Sequence, residues 1–212
     1  MSDPWSFGWA QIIALVNTSA VFLGVGIAAW GLRKWRIEQI GKRQCELAEE
    51  ALALSYEAQD VFDFIRSPIG FAGEGSTRKR SEGETEAEQK VLDQEFVSIE
   101  RINNQADFFS RVQKLRPRFK ALFGTEATEP LDEILKVRGD VILAARMLSH
   151  YAVDNIHASR EERADSRANR EKQQDVKWKG SSTPDLIDQR LSIARQKLET
   201  RISPLLKSRY RG

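Results

Sequence analysis

Few side chains in this sequence have the types and spacing that chemistry requires. His150, Asp154 and His157 recur at i, i+4 and i+7, one helical face, a geometry able to hold a divalent metal. With no further His or Cys nearby, polar helix surface is the better reading, and no metal is assigned. The single cysteine, Cys45, permits no internal disulfide and has no histidine near it in sequence, so it reads as a small helix residue rather than a nucleophile.

Two stretches could hold an anion. Gly73, Gly75, Ser76 and Thr77, followed by Arg78, Lys79 and Arg80, could offer amides and positive charge to a phosphate. The Gly-Lys-Ser/Thr ending of a nucleotide loop is missing, as is an apolar helix directly after it, which favours a mobile linker. Arg160, Arg163, Arg167, Arg170 and Lys177 would form one positive face on a helix, with Glu161, Glu162 and Asp165 elsewhere. The four arginines are the candidate anion-binding residues, suited to phosphate oxygens of nucleic acid or anionic lipid. Only Trp178 could serve as a stacking platform, so single-strand recognition lacks its aromatic partners. No nucleophile with its base, no paired carboxylates and no cofactor loop can be named; a non-catalytic protein without cofactors is expected.

The element that must position everything else is the apolar run from Trp9 to Trp35. No charged side chain occurs from Ile12 to Leu32, a length that as a helix matches the roughly 30 Å hydrocarbon core of a bilayer. Trp5, Trp9, Trp30 and Trp35 flank it, where indoles suit the headgroup layers. A buried soluble helix would carry a polar stripe, and Gln11, Asn17, Thr18 and Ser19 form none. The first residues contain no Lys or Arg and the run is too long for a cleaved signal, so a retained single-pass anchor is expected. Asp3 stands alone before the run, whereas Arg33, Lys34, Arg36, Lys42 and Arg43 follow it, which places the N-terminus outside and the remainder in the cytoplasm. Within the run Ala20, Gly24 and Ala28 recur every fourth residue, with Gly31 close by, and Asn17 adds an amide that would gain from an interhelical hydrogen bond.

With 33 basic and 31 acidic residues in 212, the net charge of +2 does not suggest bulk nucleic-acid binding. After the anchor, Ile37, Ile40, Gln44, Leu47, Ala51, Leu54, Ala58, Val61 and Ile65 alternate spacings of three and four, a heptad seam that Ser67-Pro68 ends. Leu52, Tyr56 and Phe62 widen it, favouring packing within the chain over a two-stranded coiled coil. The helix–helix interface is expected to use Asn17, Ala20, Gly24, Ala28, Ile40, Leu47, Leu54 and Val61.

Further on, the pattern predicts a helix from about Glu88 to Lys114, ended or bent by Pro117 and lying antiparallel to the rod. A more apolar helix is capped at Thr128-Glu129-Pro130 and runs to about Val153, central in the core. A last amphipathic helix opens at Ser182-Thr183-Pro184-Asp185, is interrupted by Pro204 and ends in the basic tail Lys207, Arg209 and Arg211. The expected architecture is all-α: an outer tail 1–8, a transmembrane helix 9–32, a juxtamembrane heptad helix 33–66, a flexible loop 67–88, a helical bundle 89–157, a charged arm 158–182 and a C-terminal helix 183–212, with about four cytoplasmic helices. The function this implies is a membrane-anchored interaction or scaffold protein, self-associating or a subunit of a membrane complex. The alternative is a membrane-tethered binder of nucleic acid or anionic lipid through the arginine face.

Overall fold

The computed structural model describes residues 8–209. Trp5, Asp3 and the rest of 1–7, the tail 210–212 with Arg211, and the side chains of Gln11, His157 and Arg209 lie outside the described residues. Among those described there is no strand. The helices are α1 (Trp9–Ile65), α2 (Glu86–Asn104), α3 (Ala106–Phe123), α4 (Glu129–His157), α5 (Arg160–Asp165), α6 (Arg167–Lys177) and α7 (Leu186–Arg209). A single 3-10 turn, Glu126–Thr128, precedes α4. The chain divides into two units, Met1–Glu46 and Leu47–Gly212.

In the first unit the apolar stretch of α1 packs on nothing within that unit among the described residues. Ile13, Leu15, Val16, Val21, Phe22, Leu23, Val25, Ile27 and Trp30 are all exposed, and this helix is long and apolar enough to cross a membrane near the N-terminus. In water so much bare apolar surface would be strongly unfavourable, whereas hydrocarbon accepts it.

In the second unit one core joins α1 from Leu47 onward to all the longer helices. The heptad residues Leu47, Ala51, Leu54, Ala58, Val61 and Ile65 are buried there, while Ile37 and Ile40, earlier in the same seam, are exposed. Phe62 also enters the core and meets Phe109 edge-on at 5.9 Å between ring centroids, but Tyr56 is half exposed and donates to Glu199. Ion pairs Glu57–Arg111 and Glu50–Arg118 show that α3 runs antiparallel to α1. The helix α4 packs against α2, α3, α6 and α7, the central place its composition suggested.

Several helix ends and caps differ from the sequence expectation. The expected single helix after the loop is two, broken at Gln105, with Val97, Ser98, Arg101 and Ile102 buried on α2 and Phe108, Phe109, Val112, Leu115 and Phe119 on α3. Pro117 and Pro204 do not stop their helices; both are exposed, where water can satisfy the carbonyl that a proline leaves unbonded. Thr128 does not cap α4 with its side chain, because the preceding 3-10 turn holds it in a helical conformation and its hydroxyl donates to the Thr125 carbonyl. At α7 the capping oxygen belongs to Asp185, which accepts from the amides of Ile187 and Asp188.

The C-terminal end of α1 is gripped by two arginines with almost no solvent contact. Arg66 donates to the carbonyls of Asp175, Val176 and Trp178 at the end of α6 and, with two nitrogens at 2.9 and 3.0 Å, to the Asp185 carboxylate. Arg101 of α2 donates to the carbonyls of Phe64, Ser67 and Ile69 and to both oxygens of Glu74. Helix C-termini leave carbonyls without intrahelical partners, and a cation there also meets the negative end of the helix dipole. Replacing Arg66 by Met leaves Asp185 and three carbonyls without this partner; the expected loss is about 3 to 5 kcal/mol of unfolding free energy, read by denaturant titration of the detergent-solubilised chain.

Candidate functional site

Of the stretches with chemical promise, the glycine-rich loop is tied to the body of the protein. The sequence suggests a flexible linker over 67–88; in the structure these residues make several contacts with one another and with α2. Arg78 is shared between Glu84 and Asp93, and Arg80 also reaches Asp93. Glu74 accepts from Arg101 and from the Phe71 amide, and the Gly75 amide donates to Glu100. Thr85 and Glu88 form a reciprocal capping box that starts α2. Gly75 sits at φ +84°, and a Cβ there would lie 1.9 Å from the Asp93 carbonyl oxygen. Arg78 and Arg80 therefore face carboxylates, and the amide of Gly75 is already taken, which removes the phosphate cradle the spacing suggested.

These pairings set the acid behaviour of the loop. The guanidinium of Arg78, with the Ser81 amide, holds Glu84 down at about 2. Arg101 likewise lowers Glu74; at Asp185 burial pulls upward but the bonds from Arg66 and neighbouring amides prevail.

The arginine face does not form as one helix. The chain breaks at Ser166, leaving α5 six residues long and α6 packed on α4. Arg163 donates to the Ala158 carbonyl, Arg170 to the Arg163 carbonyl, and Arg167 pairs with Glu171 at 2.8 Å. Arg160, Arg163 and Arg167 are exposed, and Arg170 is half-buried. Lys177 is not on that face at all: it is buried, paired with Glu95, and lies 4.2 Å from the Trp178 ring centroid. Burial lowers its pKa despite the opposing pull of Glu95. The segment expected as a solvated arm is thus anchored at its C-terminal end.

No group of three or more His, Cys, Asp or Glu able to hold a metal occurs among the described residues. His150 and Asp154 are exposed. Cys45 is buried. Of the proposed interface residues, Leu47, Leu54 and Val61 are buried among helices of the same chain and are not available to a second one. Asn17, Ala20, Gly24, Ala28 and Ile40 remain exposed. The Thr18 hydroxyl donates back to the Ala14 carbonyl at 2.8 Å, whereas the Asn17 amide has no partner among the described residues. Gly24 has nothing within 4 Å of where a Cβ would stand, so no packing inside the chain calls for glycine there. Comparison with protein-family models, curated proteins and solved structures yields no match for this chain.

The buried cations Arg66, Arg101 and Lys177 were not anticipated. A signal did exist for Arg101, which falls four residues after Val97 on the apolar side of α2; at Arg66 and Lys177 none did, since their partners come from distant sequence.

Two outcomes test the loop. Because Glu74 and Glu84 have depressed folded-state pKa values, their stabilisation is complete above the ordinary carboxylate value of about 4 and is lost as pH falls through the folded values, about 2 for Glu84. Proteolysis with an acid-active protease should therefore begin within 67–85 as pH is lowered through that window; cleavage that starts elsewhere would contradict it. Gly75→Ala should cost at least about 1 kcal/mol, from the left-handed backbone and the blocked approach to Asp93, measured by thermal denaturation.

Proposed function

We propose that this chain is a single-pass membrane protein whose anchor is the apolar part of α1, with its N-terminus outside and the helical body, residues 47–212, in the cytoplasm, and that it acts by association rather than catalysis. The observation that carries the reading is the stretch Ile12–Leu32, uncharged and exposed around its whole circumference. The orientation rests on Arg33, Lys34, Arg36, Lys42 and Arg43 following the span. Lys34 lies 5.8 Å from the Trp30 ring centroid and within 4.0 Å of Glu38, an arrangement suited to a headgroup layer.

Self-association, or pairing with the span of another membrane protein, is supported by two features of the anchor. The small residues Ala20, Gly24 and Ala28 allow a second backbone to approach closely, and no contact within the chain requires them. Asn17 leaves its amide unpaired at a depth where water is scarce, and a hydrogen bond from a neighbouring helix would relieve that cost. The binding alternative has less support, because Arg163, Arg167 and Arg170 already have partners within the chain.

Extraction from membranes should need detergent. Full-length protein in micelles should dimerise or carry a stoichiometric partner, and Asn17→Leu with Gly24→Ile should weaken that association about tenfold, the effect of some 1 to 2 kcal/mol for an interhelical contact in lipid. Detergent-corrected mass measurement checks it. A chain that is monomeric and alone after gentle extraction, with both variants indistinguishable from it, would defeat the association; a chain freely soluble without detergent would defeat the anchor.

A further inference from the structure

The outer surface where α7 passes the start of α4 holds a hollow of about 640 Å³ that adjoins a second of about 340 Å³ through Glu129, Pro130, Ile193 and Lys197, and charge is segregated across the groove they form. The charged residues lining the α4 side are acidic, among them Glu126, Glu129 and Glu133; those on the α7 side are Arg190, Lys197 and Arg201. Ala127 and Leu198 are buried in the floor, and Ile193 is 54 % exposed beside them. The walls are in register: Arg190 meets Glu133 at 2.6 Å, Lys197 meets Glu129 at 3.4 Å, and Arg201 meets Glu126 at 3.4 Å. The last two pairs are well exposed, and solvated pairs of that kind hold each other weakly.

We infer that this groove receives the same groove of a second copy of the chain, the two related by a two-fold axis running along it. A half-turn about such an axis exchanges the walls while keeping every residue at its own level. Glu126 then faces the partner's Arg201, Glu129 faces the partner's Lys197, and Ile193 meets the partner's Ile193 near the axis. An axis across the groove would set acid against acid and base against base, so electrostatics selects the first arrangement. The contact is small for two free proteins. It rests on the proposed self-association in the membrane, because copies already paired through their anchors have an effective concentration near millimolar, at which a weak contact is occupied.

The test uses full-length protein in lipid nanodiscs, carrying Cys45→Ser and a single reporter cysteine. Ile193→Cys should give a disulfide-linked dimer on mild oxidation, and Gly24→Cys reports separately on the anchors. Adding Glu126→Lys and Glu129→Lys to the Ile193→Cys chain should reduce its cross-linking at least tenfold, and so should Lys197→Glu with Arg201→Glu. Mixing those two charge variants should restore it, because each altered wall then faces its opposite. Circular dichroism checks that both remain helical, and the reporter in the otherwise native chain decides the matter if either does not. Cross-linking through Gly24→Cys without any through Ile193→Cys overturns this inference and leaves the anchor association standing; absence of both overturns the two together. Failure of the mixed variants to recover, with both folded, overturns the charge-selected geometry.

Discussion

The fold depends on how the end of α1 is terminated. A long helix that stops inside a protein leaves carbonyls pointing into space from which water is excluded, and those groups must find donors. Here donors come from Arg101 for α1 and its following loop and from Arg66 for the end of α6. Each guanidinium also has a carboxylate, Glu74 for one and Asp185 for the other, which makes a buried cation tolerable. Arg66 thereby joins elements separated by about half the sequence, the end of α1 to the end of α6 and the start of α7, and Arg101 ties α2 to the end of α1 and the loop. The hydrophobic core supplies the bulk of the driving force, but it is non-directional; these bonds fix which ends meet.

A second constraint is that one helix bears two kinds of surface. The same three-four spacing that is exposed at Ile37 and Ile40 is buried at Leu47, Leu54 and Val61. Where neighbouring helices are present the seam is filled by Phe62, Phe109 and their neighbours. Elsewhere on the helix the apolar surface of the first unit is exposed, and the stretch is long and apolar enough to cross a membrane. Seam residues within the core are therefore spent on the fold, and any association through α1 falls to residues on its N-terminal side.

Charge is used differently in different places. In the loop and around Lys177, opposite charges are packed with little water, so they order backbone that would otherwise be free. Along α5 and α6 much of the positive charge goes into local bonds, to carbonyls and to Glu171, rather than outward. Where α4 and α7 run side by side, and again between α1 and α3, exposed charges of each sign line up on facing helices and pair across the seam.

Much of the helical content was legible in residue order. Apolar periodicity located α1, α4 and α7, and the absence of charge from Ile12 to Leu32 identified the stretch suited to lipid, since those signals are carried by neighbours within a turn or two. The break at Gln105 was hidden because the apolar spacing continues across it. The glycine-rich loop looked mobile because its stabilising partners, Asp93, Glu100 and Arg101, lie on the next helix, and the basic segment looked solvated because Glu95 and Arg66 lie far back along the chain.

The sequence by itself determined helix, and the membrane-compatible stretch, because both follow from local backbone preference and from the transfer of nearby side chains between solvents. Only the tertiary structure decided which cations are buried, which loop residues are bonded to neighbouring helices and which seam residues stay exposed. Those outcomes depend on groups brought together from distant positions, whose desolvation and pairing have no local signature.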